Sequence, residues 1–182
     1  MVETDIDLED IKIKVSDFGF SSFATAGSSG AVKLARTEPW EAPEWHHRYT
    51  TLENAKKMDI YGFGLLLLWA LFRDRPIPQL VEPSLTLEEA LFSTDTRTTA
   101  RVQALKKKDD SVLKCALQLL QEMKDVDDQG RIRLKEAFTL TLSSKPANRA
   151  QSMRELVELL GLPDGQDVKY VAGLFRIILC TH

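Results

Sequence analysis

Trp40-Glu41-Ala42-Pro43-Glu44 lies in a stretch, Arg36 to Tyr49, that holds two tryptophans, two histidines and two prolines. Such a composition is too aromatic for a solvated linker, and it predicts an irregular but ordered and packed loop. Upstream, Ile11, Ile13 and Val15 alternate with Lys12, Lys14 and Ser16. That is the period of a strand with one buried face, here running into Asp17-Phe18-Gly19. Between the two sites, Ser21 to Gly30 is rich in Ser, Gly, Ala and Thr and has little apolar periodicity, which predicts a loop. Residues 20 to 41, 22 in all, separate Gly19 from Ala42.

Downstream, Lys57-Met58-Asp59-Ile60-Tyr61-Gly62-Phe63-Gly64 opens the most apolar run of the chain, Ile60 to Phe72. The run falls short of the ~20 residues that span a bilayer and predicts a buried helix. Gly62 and Gly64 weaken such a helix by about 1 kcal/mol each, so a close approach of neighbouring backbone is expected to compensate. Pro76, Pro78 and Pro83 end it near Phe72. Thr50 with Glu53, and Thr86 with Glu89, have the spacing of reciprocal helix caps. Leu113, Ala116, Leu117, Leu120 and Met123 recur at helical spacing behind Asp109, Asp110 and Ser111, whose side chains suit a helix amino terminus. Leu134, Phe138 and Leu142 mark a further helix closed by Pro146. The clearest helix follows Ser152: Glu155 completes a cap, Met153, Leu156, Val157 and Leu160 face inward, and Gly161 and Pro163 stop it. Val168, Val171, Phe175 and Ile178 fit one more helix, whereas Ile177, Ile178 and Leu179 also suit a strand.

A chain of 182 residues with 43% hydrophobic and 28% charged residues has the balance of one ordinary globular domain. A net charge of −3 supplies no positive field to gather phosphate backbones, so nucleic acid is not an expected partner. Lys106, Lys107 and Lys108 are followed at once by Asp109 and Asp110, an alternation that reads as solvated surface. Cys115 and Cys180 are far apart, without metal-type spacing, and Cys115 lies among apolar residues as a small hydrophobe would. With an acidic start from Met1 to Asp10 that does not match a secretory signal, this predicts an intracellular, cytoplasmic protein. No membrane association is expected.

The order of these features resembles the protein kinase family: strand, Asp17-Phe18-Gly19, hydroxyl-rich loop, Trp40-Glu41-Ala42-Pro43-Glu44, then an aspartate, Asp59, ahead of a buried helix. Lys145-Pro146-Ala147-Asn148-Arg149 resembles the family's last signature. The resemblance covers about residues 11 to 160. It implies a mainly α fold, the carboxy-terminal lobe of a kinase-like domain with a short β-strand region at its amino-terminal edge. Within a domain at 1–160, the activation segment would be 17–44, the central helix 59–72 and the following helices 87–160; the tail 161–182 stays open between helix and strand.

By the same resemblance Arg149 pairs with Glu44 and staples the activation segment, since an ionised glutamate in a packed loop needs matched donors and a guanidinium supplies two in parallel. Asp59 would accept backbone donors from the catalytic loop. Asp17, with Phe18 and Gly19, would stand at the ATP–magnesium site. Thr37 holds the position of the threonine of serine/threonine kinases, although Trp40 is commoner in tyrosine-kinase-like segments.

Phosphoryl transfer needs nucleotide cradling, a lysine on the phosphates, metal ligands and a residue that positions the attacking hydroxyl. Of these the sequence offers Asp17, and neither a Gly-x-Gly-x-x-Gly lid nor a His-Arg-Asp loop occurs in it. The expectation is therefore a protein of the ATP-dependent serine/threonine kinase type with no catalytic residue of its own in these 182 residues, inactive alone and a weak binder of ATP and magnesium. The alternative is a pseudokinase-like module that binds a protein partner. His46 and His47 are adjacent and read as packing or surface residues rather than metal ligands. Ser21, Ser22, Thr25, Ser28, Ser29 and Thr37 read first as solvated loop hydroxyls, among which a phosphosite would order the loop.

Overall fold

The computed structural model describes residues 32–33, 38–45, 49–77, 85–124 and 126–161. The strand expected over Ile11 to Val15, the Asp17-Phe18-Gly19 triplet, the hydroxyl-rich loop, Thr37, His46, His47 and the tail beyond Gly161 lie outside these residues.

The described fold is mainly helical. A two-residue strand β1 (Val32–Lys33) pairs antiparallel with β2 (Tyr49–Thr50). Among the described residues six helices follow: α1 (Leu52–Phe72), α2 (Leu87–Leu91), α3 (Thr96–Lys107), α4 (Ser111–Glu122), α5 (Asp128–Leu142) and α6 (Met153–Leu159), with a 3-10 turn at Pro146–Asn148. Consecutive helices from α2 to α5 pack on their neighbours, and α1 packs across α5 at the centre.

From Ile60 onward the α1 helix is apolar all round, as a core helix must be: Ile60, Tyr61, Leu65, Leu67, Leu68 and Phe72 are buried. It ends at Phe72 as the prolines predict but begins at Leu52, well before Asp59. Its cap is Thr51, whose hydroxyl accepts from the Asn54 N–H at 3.2 Å, not the Thr50–Glu53 pair expected from spacing. The reason lies in tertiary structure: Thr50 is in register with Val32 in the β1–β2 ladder, which leaves Thr51 as the first residue free to cap.

Gly64 explains how α1 tolerates its glycines. A Cβ there would stand 2.5 Å from Thr141 Oγ1 and 2.6 Å from Thr141 Cβ, so α5 crosses α1 at this point. Thr141 is fully buried and donates its hydroxyl to the Ala137 carbonyl at 2.7 Å, which satisfies its polar group within α5. Below the crossing, Phe138, Leu134 and Leu142 are buried at the expected four-residue spacing and fill the space against Phe72 and the α4 face.

The caps of the later helices differ in detail from their sequence signals. Thr86 and Glu89 form the reciprocal capping box. Ser152 Oγ accepts from the Glu155 N–H, but the Glu155 carboxylate reaches back to the Gln151 N–H rather than to Ser152. In α6, Leu156 and Leu160 are buried, whereas Met153, expected to face inward, is 39% exposed. Gly161 ends the helix at φ +67°, a left-handed angle that glycine adopts without strain.

In α4 the deeply buried positions are Val112, Cys115, Ala116, Leu119 and Leu120, a stripe rotated from the one predicted, because α4 is packed between α3 and α5. Leu113, Leu117 and Met123 are only partly buried. Burial pushes the Cys115 thiol up to about 12, the behaviour of an inert core residue.

Asp110 stands at the amino terminus of α4, where its acidic group suits the helix, but it makes no side-chain cap bond there and sits at φ 53°. Its carboxylate instead accepts from the Ser144 N–H at 2.5 Å and the Ser143 hydroxyl at 3.2 Å, joining the start of α4 to the end of α5. These bonds, the Ser144 backbone donor foremost, hold its pKa below the ordinary aspartate value. A depressed folded pKa contributes stability that is full above the unfolded value near 3.9 and is lost as pH falls through the lower folded value. Asp110→Asn, which keeps the left-handed backbone, is expected to flatten that part of the acid-denaturation curve followed by circular dichroism. An unchanged curve would remove Asp110 from the acid response.

Candidate functional site

The loop 38–45 carries Trp40, Ala42, Pro43 and Glu44 and is held to the helical body at three places. Ala42 and Pro43 are buried, and a turn closes with the Trp45 N–H on the Ala42 carbonyl at 3.0 Å.

The first hold is Glu44. Arg149, its side chain without solvent exposure, donates Nη1 to Glu44 Oε1 at 2.6 Å and Nη2 to Glu44 Oε2 at 2.9 Å. Its remaining donors reach the Ser143 carbonyl at 2.8 Å and the Lys57 carbonyl at 3.0 Å, and the guanidinium stands 4.7 Å from the Tyr61 ring centroid. Burial keeps the Tyr61 phenol protonated, its pKa raised well beyond the ordinary range, so it presents a neutral ring to the cation. Lys57, also buried, donates Nζ to the Arg149 and Ala150 carbonyls at 2.9 and 2.8 Å and to Gln151 Oε1 at 3.0 Å. Two buried cations, one on α1 and one after the 3-10 turn, thus fix each other's backbone.

The second hold is aromatic. Trp40 meets Trp69 of α1 edge-on at 6.2 Å and Phe92 at 5.7 Å, and Trp69 meets Phe92 at 6.3 Å. Edge-to-face rings at these separations are favourable beyond the area they bury. Gly62 lets the α1 backbone approach the loop: a Cβ there would be 3.3 Å from the Trp40 carbonyl.

The third hold comes from α3 and was not expected. Lys106 is 2% exposed, in contrast to the solvated surface predicted for Lys106 to Lys108; only Lys107 and Lys108 are exposed. Its ammonium donates to the Pro39 carbonyl and, at 3.1 Å, to the Glu41 carbonyl. One turn earlier Gln103 Nε2 donates to Glu41 Oε1 at 2.9 Å. The signal that could have found Lys106 is its four-residue spacing from Val102 and Thr98 on the buried stripe of α3.

Between the loop and the α2–α3 turn lies a recess of about 190 Å³, its floor formed by Pro39, Leu91 and Val102 and its rim by Glu38 and the half-exposed Phe92.

Of the residues expected at a site, the structure brings together Glu44 and Arg149 and places Trp40, on the same loop, against Trp69 and Phe92. Asp59 lies on α1, exposed by residue area, although the atoms around its carboxyl desolvate it enough to raise its pKa. No hydrogen bond or ion pair engages its carboxylate among the described residues. Asp17, the residue that ATP and magnesium would meet by resemblance, lies outside the described residues. Among the described residues no three His, Cys, Asp or Glu side chains converge as a metal site, and no helix is long and apolar enough to cross a membrane.

The family model of the protein kinase domain matches residues 5–141. The chain belongs to the protein kinase family. Over 78 residues, 43% of this kinase-family chain, it is 33% identical to a probable serine/threonine-protein kinase, kinX, of Dictyostelium discoideum. It is 34% identical over 97 residues, 52% of the chain, to a probable LRR receptor-like serine/threonine-protein kinase, MEE39, of Arabidopsis thaliana. It is 37% identical over 70 residues, 38% of the chain, to calmodulin-binding receptor-like cytoplasmic kinase 2 of the same plant. The matched stretches span 7%, 11% and 17% of those relatives. No solved structure matches the chain. In this kinase-family fold the described helices are thus the body that carries the Ala-Pro-Glu loop.

Proposed function

We propose that these residues form the substrate-side lobe of a serine/threonine-type protein kinase domain, and that the 182 residues by themselves transfer no phosphate. The observation that carries the reading is the buried Glu44–Arg149 fork, which ties the Ala-Pro-Glu loop to the segment before α6. The names of the matched relatives support the serine/threonine type. The lobe's contribution is positioning: a loop held by cations and aromatic rings presents one fixed wall to an incoming chain, and catalysis of phosphoryl transfer rests on positioning and charge stabilisation.

The recess beside Phe92 favours a second use, the docking of a protein substrate or partner through an apolar side chain, which would serve a non-catalytic, pseudokinase-like module equally well. An intracellular site of action, ATP and magnesium belong to the same proposal, with Asp17 as the residue that would hold the metal.

A nucleotide titration of the purified chain, with and without magnesium, tests the catalytic half. No magnesium-dependent affinity in the submillimolar range is expected. An affinity in that range that disappears in Asp17→Ala would overturn the inactive reading and make Asp17 a working ligand.

A further inference from the structure

We propose that Lys106 is a positioning residue which, from the last turn of α3, ties the 38–41 half of the loop to that helix so that α3 and the Ala-Pro-Glu loop move as one unit. The inference stands on the geometry of the loop and is independent of whether the chain transfers phosphate.

Arg149 secures the loop only at Glu44. The carbonyls of Pro39 and Glu41 point instead toward α3, and a single ammonium meets both. A lysine suits this task, because a compact head with three donors on a flexible stem can serve two carbonyl oxygens at once. Gln103, one turn back on the same helix face, takes the Glu41 carboxylate, so α3 holds both backbone and side chain of the loop. Pro39, Val102 and Gln103 also line the recess. The tether therefore sets its width, and a ligand that wedges the recess open must strain or break it.

The charged groups that act on Lys106 among the described residues are Glu41 and Glu38, both on the loop, and they favour its charged form; burial outweighs them and lowers its pKa from 10.5 to about 8. The sign of the pH effect follows. The closed loop holds a lysine that releases its proton more readily than the free side chain, so closing is favoured as pH rises from about 8 to 10.5 and is indifferent to pH below that window.

All three tryptophans report on the tether, since Trp40 and Trp45 are on the loop and Trp69 packs against Trp40. The experiment measures tryptophan quenching by acrylamide, and hydrogen exchange of the loop peptide corrected for intrinsic rates, on the full chain and on Lys106→Met and Lys106→Arg. At neutral pH Lys106→Met is expected to speed loop exchange by about tenfold or more, while α5 and α6 peptides stay within about twofold of the unmodified chain. Lys106→Arg should recover part of the protection. Strengthening of the loop above pH 8 should appear only in the unmodified chain.

Equal loop protection in Lys106→Met, or equal loss in α5 and α6, would overturn the proposal, the second by making Lys106 an ordinary core residue. Should Lys106→Met not fold, Lys106→Gln decides: loop exchange equal to that of the unmodified chain rejects the tether.

Discussion

Replacing Arg149 with methionine is expected to cost about 3–5 kcal/mol, read as a fall in the urea midpoint followed by tryptophan fluorescence. The change removes the partner of a glutamate that is 23% exposed and so leaves a carboxylate largely out of water. It also strands the Ser143 and Lys57 carbonyls, and it takes the cation from the Tyr61 face. Against a typical domain stability of about 5–15 kcal/mol, this single loss brings the chain near the unfolding threshold.

Arg149→Lys should restore little, because an ammonium cannot make the two parallel bonds to Glu44 while also reaching two carbonyls. The informative control is the double variant Glu44→Leu with Arg149→Met. Buried ion pairs replaced whole by apolar groups are often near neutral in stability, so the double variant should be more stable than Arg149→Met alone. A loss under about 1 kcal/mol in Arg149→Met would mean that Glu44 finds water in the folded state, and the fork would then be ornamental to stability. The Asp110 and Arg149 experiments meet at Ser143, whose hydroxyl serves the Asp110 carboxylate and whose carbonyl serves the guanidinium, so their effects are expected to couple rather than add.

Much of this arrangement is legible in the sequence where the signal is local or depends on a familiar pairing. The end of α1 at Phe72 follows from the prolines, and the Leu134, Phe138 and Leu142 stripe from spacing alone. The start of α1 is not legible in the sequence because Thr50 and Thr51 are both competent caps, and only the pairing of Thr50 with Val32 in the β1–β2 ladder selects the second. Lys57 and Lys106 were illegible as buried residues for a similar reason. Apart from Gln151 Oε1, their acceptors are backbone carbonyls more than 60 residues away, and a carbonyl carries no sequence signature. A charged side chain is read as solvated unless its partner can be named, and Arg149 was named only through the motif that contains Glu44. The α3 helix escaped separate prediction because its buried stripe is Thr98, Val102 and Lys106, in which only valine is apolar. For Asp17, Phe18, Gly19 and Thr37 the sequence reading has no structural counterpart, since they fall outside the described residues.

The second large effect is expected at Gly64. Helix propensity alone would make Gly64→Ala stabilising by about 1 kcal/mol. Packing decides otherwise. The new methyl would lie 2.6 Å from Thr141 Cβ and 2.9 Å from Leu142 Cδ2, and a Cβ is one bond from the α5 backbone and cannot swing aside. Relief requires the two helices to separate, which loosens Phe138, Leu65 and Leu68 in the same layer. Overpacking of this kind typically costs about 1–3 kcal/mol, and with the fixed Thr141 Cβ facing the new methyl the upper end applies, for a net loss of about 2 kcal/mol by urea denaturation. Gly62→Ala is the matched control. There the nearest atom is the Trp40 carbonyl at 3.3 Å, on a loop rather than a helix, and a shift of a few tenths of an ångström suffices. The propensity gain and that small strain should nearly cancel. If Gly64→Ala matched Gly62→Ala in stability, α1 and α5 would have to be free to slide apart, and the crossing could not be what fixes α1, and with it Trp69, beneath the loop.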